Sequence, residues 1–162
     1  MENRISGLKA ILVVGAFAIA NAAQADDGEK TWTAEEQAVI DAVSKGPVGI
    51  DKDFEAWAGG YAADWSFWRL GDAAIRERDV HMKLVKDYID GGARVTGFDL
   101  TPVDVIVHGD AALIRLNAVE SIIEADGAER TVRYSSAGFL IREDGVWRLA
   151  ASNLYFPPAE TE

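Results

Sequence analysis

The chain has 162 residues, a formal charge of −11 and no cysteine. The missing thiols exclude disulfides, thiolate metal sites and cysteine nucleophiles. The acidic balance argues against nucleic acid and against an anionic membrane surface, since binding phosphate needs clustered Lys and Arg. The length fits one domain with a real core.

The first 25 residues read as a secretory signal peptide. Arg4 and Lys9 precede an apolar run from Ala10 to Ala20, and small residues end in Ala23-Gln24-Ala25. That run is too short to span a bilayer, which takes ~20 residues. The expectation is an exported protein, periplasmic or secreted, with no membrane contact after cleavage. Removing Arg4, Lys9 and Glu2, a net +1, leaves −12 on residues 26–162. Residues 26–32 are expected to be a flexible N-terminus, 33–157 the folded domain and 158–162 a tail.

Thr33-Ala34-Glu35-Glu36 fits a capping box. Val39, Ile40 and Val43 then fall at helical spacing before Lys45-Gly46-Pro47 interrupts. Phe54, Trp57, Ala58 and Tyr61 mark a second apolar helical stripe, weakened by Gly59-Gly60. Asp64-Trp65-Ser66-Phe67-Trp68 follows as a connection rich in aromatic surface. If it is helical, Trp65 and Trp68 share a side and Phe67 points elsewhere. Burying one such ring is strongly favourable at ~25 cal/mol per Å², so the expected arrangement is one ring in the core and one lining a pocket.

Residues 69–78 lack periodicity. Asp79 is placed to cap a further helix, in which Val80, Leu84 and Tyr88 form one line with His81, Val85 and Ile89 beside it, and Gly91-Gly92 supplies a stop. From Ala93 the period changes to two. Strands are expected near 93–100, 102–108, 111–124, 129–142 and 146–156. Gly109-Asp110, Asp126-Gly127 and Asp144-Gly145 punctuate them as hairpin turns. Helices followed by a long antiparallel meander indicate an α+β domain with the helices on one sheet face.

The segments YAADWSFW (61–68), DVHMKLVKDYIDGG (79–92) and VRYSSAGFLIREDGVWRLAASNLYF (132–156) resemble the nuclear transport factor 2-like superfamily, in its SnoaL-like and ketosteroid-isomerase-like branch. The most specific part is Arg-Glu-Asp-Gly followed by Val-Trp-Arg-Leu, at 142–149. The resemblance covers residues 33–156 and implies a cone: a curved antiparallel sheet wrapped around helices, with a pocket at the open end. It does not imply one activity, because the superfamily holds isomerases, dehydratases, epoxide hydrolases, cyclases, carriers and assembly domains.

Strand alternation sorts Trp147, Leu149, Ala151, Asn153 and Tyr155 onto one face and Val146, Arg148, Ala150, Ser152 and Leu154 onto the other. In relatives the tryptophan face often turns toward the helices, so the resemblance makes Asn153 and Tyr155 pocket candidates. An Asn153 that merely ends the strand fits equally. Strand 111–124 places Leu113, Arg115, Asn117, Val119 and Ser121 opposite Ile114, Leu116, Ala118 and Ile122. Arg115-Leu116-Asn117 is similar to the Arg-x-Asp with which epoxide hydrolases of the superfamily orient water. Asn117 cannot act as a carboxylate base, which counts against hydrolase chemistry, and an arginine half in solvent is the plainer account of Arg115.

A ketosteroid-isomerase mechanism needs an aspartate base and an oxyanion hole. Asp64 is the carboxylate placed for a pocket mouth, although an aspartate at a helix end is more often a turn or cap. Tyr88 and Tyr134 are candidate donors, each with an ordinary place in a helix stripe or strand. His81, if buried, is a candidate base near neutral pH, against the plainer reading of a satisfied rim histidine. Two separate histidines give no metal spacing and no glycine-rich phosphate loop is present, so no metal or cofactor is expected.

These observations point to an exported small-molecule-binding domain. Its ligand-binding residues are drawn from Trp65, Trp68, Tyr88, Arg115, Asn117, Tyr134, Asn153 and Tyr155, and its partner is a small apolar molecule. The first alternative is an isomerase or dehydratase using Asp64 or His81 as base. It would be marked by a buried carboxylate or imidazole within hydrogen-bond reach of a tyrosine hydroxyl. The second is an assembly module, a homodimer through the sheet, for which Ile114, Leu116 and Ile122 are suitable.

Overall fold

The structure, a computed structural model, describes residues 30–157. The expected signal peptide and the 158–162 tail lie outside these residues. Helix α1 (Ala34–Ser44) starts at the expected capping box: Thr33 Oγ1 accepts from the Glu36 amide at 3.3 Å, and Glu36 Oε2 accepts from the Thr33 amide at 2.8 Å. Its buried residues, Val39 and Ile40, join the main core, against which Trp32 also packs. Among the described residues no helix is long and apolar enough to cross a membrane.

The second helix is much shorter than its stripe suggests. Helix α2 spans only Phe54–Ala58, capped by Asp53 Oδ1 on the Ala56 amide at 2.9 Å. The Gly59-Gly60 pair ends it, and Tyr61 opens strand β1 (Tyr61–Arg69). The segment Asp64–Trp68 is therefore sheet, not connection or helix. Aromatic residues favour strands, and strand alternation sends Trp65 and Phe67 to the same side. It is these two that are buried, while Trp68 is half-buried. A two-residue strand β2 (Arg76–Glu77) pairs with β1, and helix α3 (Arg78–Asp90) follows directly. Its N-cap is Glu77, with no side-chain cap bond, rather than Asp79.

Strands β3 (Arg94–His108), β4 (Ala111–Ile123), β5 (Glu129–Glu143) and β6 (Val146–Tyr155) form the expected antiparallel meander. The sheet order is β2-β1-β6-β5-β4-β3, with β1 joined to β6 in parallel. The expected strands 93–100 and 102–108 are one continuous strand. Pro102 has no amide hydrogen to donate, but β3 is the edge of the sheet, where proline is tolerated.

The architecture is an α+β cone, a curved and unclosed sheet with the helices on its inner face. Register shifts on β1, β3 and along the β5–β6 pair mark the bulges, and bulges bend and twist a sheet. Ile114, Leu116 and Ile122, considered above for a dimer surface, are 0%, 7% and 6% exposed on the inner face and belong to the core. The outer face carries a different apolar row, in which Ile106, Leu113, Phe139 and Ala151 are successive cross-strand partners on four strands.

Candidate functional site

The inner face is lined by an unbroken series of aromatic contacts. Phe54 meets Trp57 with ring centroids 5.5 Å apart; Trp57 to Tyr61 and Tyr61 to Trp65 are both 4.9 Å and edge-on. Trp65 then meets His81 at 5.0 Å, and His81 meets Phe67 at 4.8 Å. The series runs from α2 through β1 to α3 because β1 alternates its rings inward beneath both helices.

Besides His81, two polar pairs among the described residues meet this surface. At the first, Trp65 Nε1 donates to Ser152 Oγ at 3.1 Å, which satisfies a buried indole and a buried hydroxyl together. At the second, Tyr134 donates its hydroxyl to Glu120 Oε1 at 2.6 Å. Glu120 makes no other hydrogen bond among the described residues, and its second oxygen keeps solvent contact. Across the strands Glu120 faces Phe98 and Val132, with no cationic partner opposite.

The electrostatics follow from this placement. Burial raises the Glu120 carboxyl above its ordinary value, opposed by the Tyr134 hydrogen bond and by the charge of Arg130. Burial also pushes the Tyr61 and Tyr134 hydroxyls well above the usual tyrosine range, with the Glu120 charge adding to both. Tyr61, Glu120 and Tyr134 therefore sense one another and form one group on the inner face. For His81, burial is the main cause of a drop from 6.5 to about 4, and the adjacent Arg76 adds to it, with Nη1 3.5 Å from Nδ1. The imidazole is neutral at physiological pH.

The sequence-based candidates are scattered by comparison. Asp64 lies exposed on β1. Trp65 is 2% exposed in the core, whereas Trp68 donates Nε1 to the Asp72 carbonyl at 3.1 Å, beside the turn after β1. Tyr88 donates to Glu124 at 2.6 Å and accepts from Arg130 at 3.1 Å, which ties α3 to the β4–β5 hairpin. Arg115 pairs with Asp104 at 2.7 Å, and Asn117 accepts from Ser135 at 2.8 Å; both are exposed on the outer face. Asn153 and Tyr155 are exposed too. Phe139 pairs with Ala151 and Leu140 with Leu149, so Ala150 is an extra residue without a partner. That bulge reverses the alternation. Ser152 and Leu154, not Asn153 and Tyr155, continue the inward face of Trp147 and Leu149. Of the candidates, Trp65, His81 and Tyr134 share the inner face.

Glu120 and Tyr61 were not singled out from sequence. Tyr61 was hidden by the helical stripe. Glu120 carried a usable signal, since it lies in phase with Ile114, Leu116, Ala118 and Ile122, a carboxylate on an otherwise apolar strand face. Two open surface concavities, of about 490 and 430 Å³, lie elsewhere: beside α1 and the β3–β4 turn, and along residues 72–77 with Val80. Among the described residues no three His, Asp or Glu side chains converge as metal ligands.

Residues 48–157 match the SnoaL-like domain family. Comparison with curated protein sequences finds no match. Solved structures share the fold at low identity. A ketosteroid isomerase-like protein from Erwinia carotovora atroseptica is 14% identical with a TM-score of 0.61, covering 77% of this chain and 98% of its own. An NTF2-like protein with a cystatin-like fold from Novosphingobium aromaticivorans is 19% identical with a TM-score of 0.58, covering 78% and 85%. An NTF2-like protein of unknown function from Prochlorococcus is 9% identical with a TM-score of 0.62, covering 80% and 97%. With the family match over most of the folded chain, the protein belongs to the SnoaL-like domain family, and it shares the fold of solved NTF2-like proteins.

Proposed function

We propose that the protein is an exported small-molecule-binding domain whose ligand enters the cone and lies on its inner face, against Trp57 and Tyr61. The observation that carries this reading is the Glu120–Tyr134 pair. It is a half-buried carboxylate with one oxygen held by a hydroxyl at 2.6 Å and the other left free, set in aromatic surroundings. Apolar walls with a few orienting polar groups are the ordinary chemistry of a ligand site. The leader-like residues 1–25 support export to the periplasm or beyond.

The same pair favours a second reading, an isomerase or dehydratase. A carboxyl raised by burial within reach of a tyrosine hydroxyl is the feature expected of such a site. In that case Glu120 is the base, in place of Asp64 or His81, and Tyr61 the donor to the developing oxyanion. Self-association through the outer face is supported by the Ile106–Leu113–Phe139–Ala151 row, in which Phe139 is 45% exposed.

A native mass spectrum of the protein purified from the periplasm of an expressing bacterium tests these readings together. The expected result is loss of residues 1–25 and extra mass that disappears on denaturation. A bare chain after gentle purification, with no shift on adding small aromatic compounds, would refute the binding reading. A retained leader would refute export.

A further inference from the structure

We infer that the ligand is an organic cation: an apolar body bearing one amine or quaternary ammonium group, its charge at the free oxygen of Glu120 and its body against the half-buried Tyr61 and Trp57. This inference rests on the binding reading above and names the chemical class that the site selects.

The charges around Glu120 carry the argument. Among the described residues its hydrogen-bond donor is the neutral Tyr134, and its cross-strand neighbours are Phe98 and Val132. The cation nearest in effect, Arg130, is already engaged: Nε bonds Glu124 Oε1 at 2.5 Å, and Nη2 bonds the Tyr88 hydroxyl at 3.1 Å. Glu120, Glu124 and Arg130 together therefore leave one negative charge. Along the aromatic series His81 is neutral, and the cations that stand on it, Arg76 over Phe67 and Lys86 over Phe54, are not among the charges that act on Glu120. A half-buried carboxylate with no charged partner of its own is costly. An anionic ligand would add repulsion, and a neutral apolar one would leave that cost standing. A cation removes it.

The walls agree with this charge. Trp and Tyr faces attract cations within ~6 Å of the ring centroid; Trp57 and Tyr61 meet at 4.9 Å, and Tyr61 is the ring whose hydroxyl feels the Glu120 charge. The chain's excess of acidic residues, 27 against 16 Lys and Arg, also draws cations toward the molecule. The free oxygen of Glu120 keeps solvent contact, so a ligand can reach it without breaking the Tyr134 bond.

The test compares two probes of one shape, benzyltrimethylammonium and its neutral carbon isostere neopentylbenzene. Both are titrated into the wild-type protein and into Glu120→Gln, and binding is followed by NMR at the Trp57 and Trp65 indole N–H signals. The expected result is a preference for the cation of at least ~10-fold in the wild type, falling to about two-fold or less in Glu120→Gln. Equal affinities, tighter binding of the isostere, or a cation preference that survives the substitution overturns the inference while leaving a ligand site in place. If neither probe moves either indole signal, the binding reading falls and the inference with it. Should Glu120→Gln not fold, the wild-type preference decides alone.

Discussion

His81 makes the stability of this domain depend on pH in a way that one substitution isolates. The ring sits between Trp65 and Phe67 with Arg76 beside it, and its pKa falls from 6.5 to about 4 on folding. Because the folded state disfavours the proton, the contribution of the neutral ring is fully present above about pH 6.5 and is lost as pH falls toward 4. A displacement of that size sets a ceiling of about 3 kcal/mol. The ring retains part of its solvent contact, and screening reduces the figure to roughly 1–2 kcal/mol. The assay is urea unfolding of the wild type and of His81→Phe at about pH 7 and about pH 4. Phenylalanine keeps a ring between Trp65 and Phe67 and has nothing to titrate, while the carboxylates titrate alike in both proteins. The wild type should lose roughly 1–2 kcal/mol more than the variant between the two conditions. The chain has two histidines and His108 is exposed, so NMR can follow His81 directly once His108→Gln has assigned the signals. Equal losses in both proteins, or a His81 that titrates near its ordinary value, would refute the reasoning.

Four further substitutions probe the inner face and the packing around it. In Tyr134→Phe the Glu120 carboxyl loses the hydrogen bond that holds its pKa down, so carbon-detected NMR should show it titrating at higher pH than in the wild type; an unchanged or lower value would contradict the pairing. Ser152→Ala leaves the buried Trp65 indole without an acceptor, and chemical denaturation should show a loss of about 1–3 kcal/mol. Gly46→Ala should be the more damaging of two glycine changes. Its backbone has a φ of +49° and an added Cβ would fall 2.3 Å from the Phe98 ring, whereas at Gly138 the nearest atom is the flexible tip of Leu149 at 2.9 Å. Thermal unfolding should show a loss of about 2–4 kcal/mol at position 46 and about 1 kcal/mol at position 138; the reverse order would count against the packing described.

Much of the fold was legible because long segments repeat one period. The capping box at Thr33, the α3 stripe and the three Gly-containing hairpin turns all lie where spacing puts them. The stretch 54–69 was misread for a physical reason. Phe54, Trp57, Ala58 and Tyr61 satisfy a helical template, but Gly59-Gly60 stops the helix after five residues, and the aromatic run beyond it has a partner strand in β6, which begins at Val146. A local window holds no record of so distant a partner. Pro102 divided the β3 reading in two for the same kind of reason. Only the sheet order shows that β3 is an edge where a missing donor costs no ladder bond.

The candidate site depended on something subtler than element type. Alternation assigns residues to faces only while the register is unbroken, and one extra residue sends every side chain beyond it to the other face. On β6 the unpartnered Ala150 does this, so that Ser152 reaches Trp65 while Asn153 meets solvent. On β4 the pairing with β5 runs without a shift from Ala111 to Ile123. The phase of Ile114, Leu116 and Ala118 therefore extends unchanged to Glu120 and delivers its carboxylate to the inner face. An acidic residue in the apolar phase of an unbulged strand is thus a sequence signal in its own right. An alanine or valine at 120 would have packed there without the desolvation that an ionised carboxylate suffers. The sheet accommodates that penalty through a single hydroxyl, Tyr134, and leaves the second oxygen open. An interior required only for packing gains nothing from such an arrangement, and the organic cation proposed above would neutralise it.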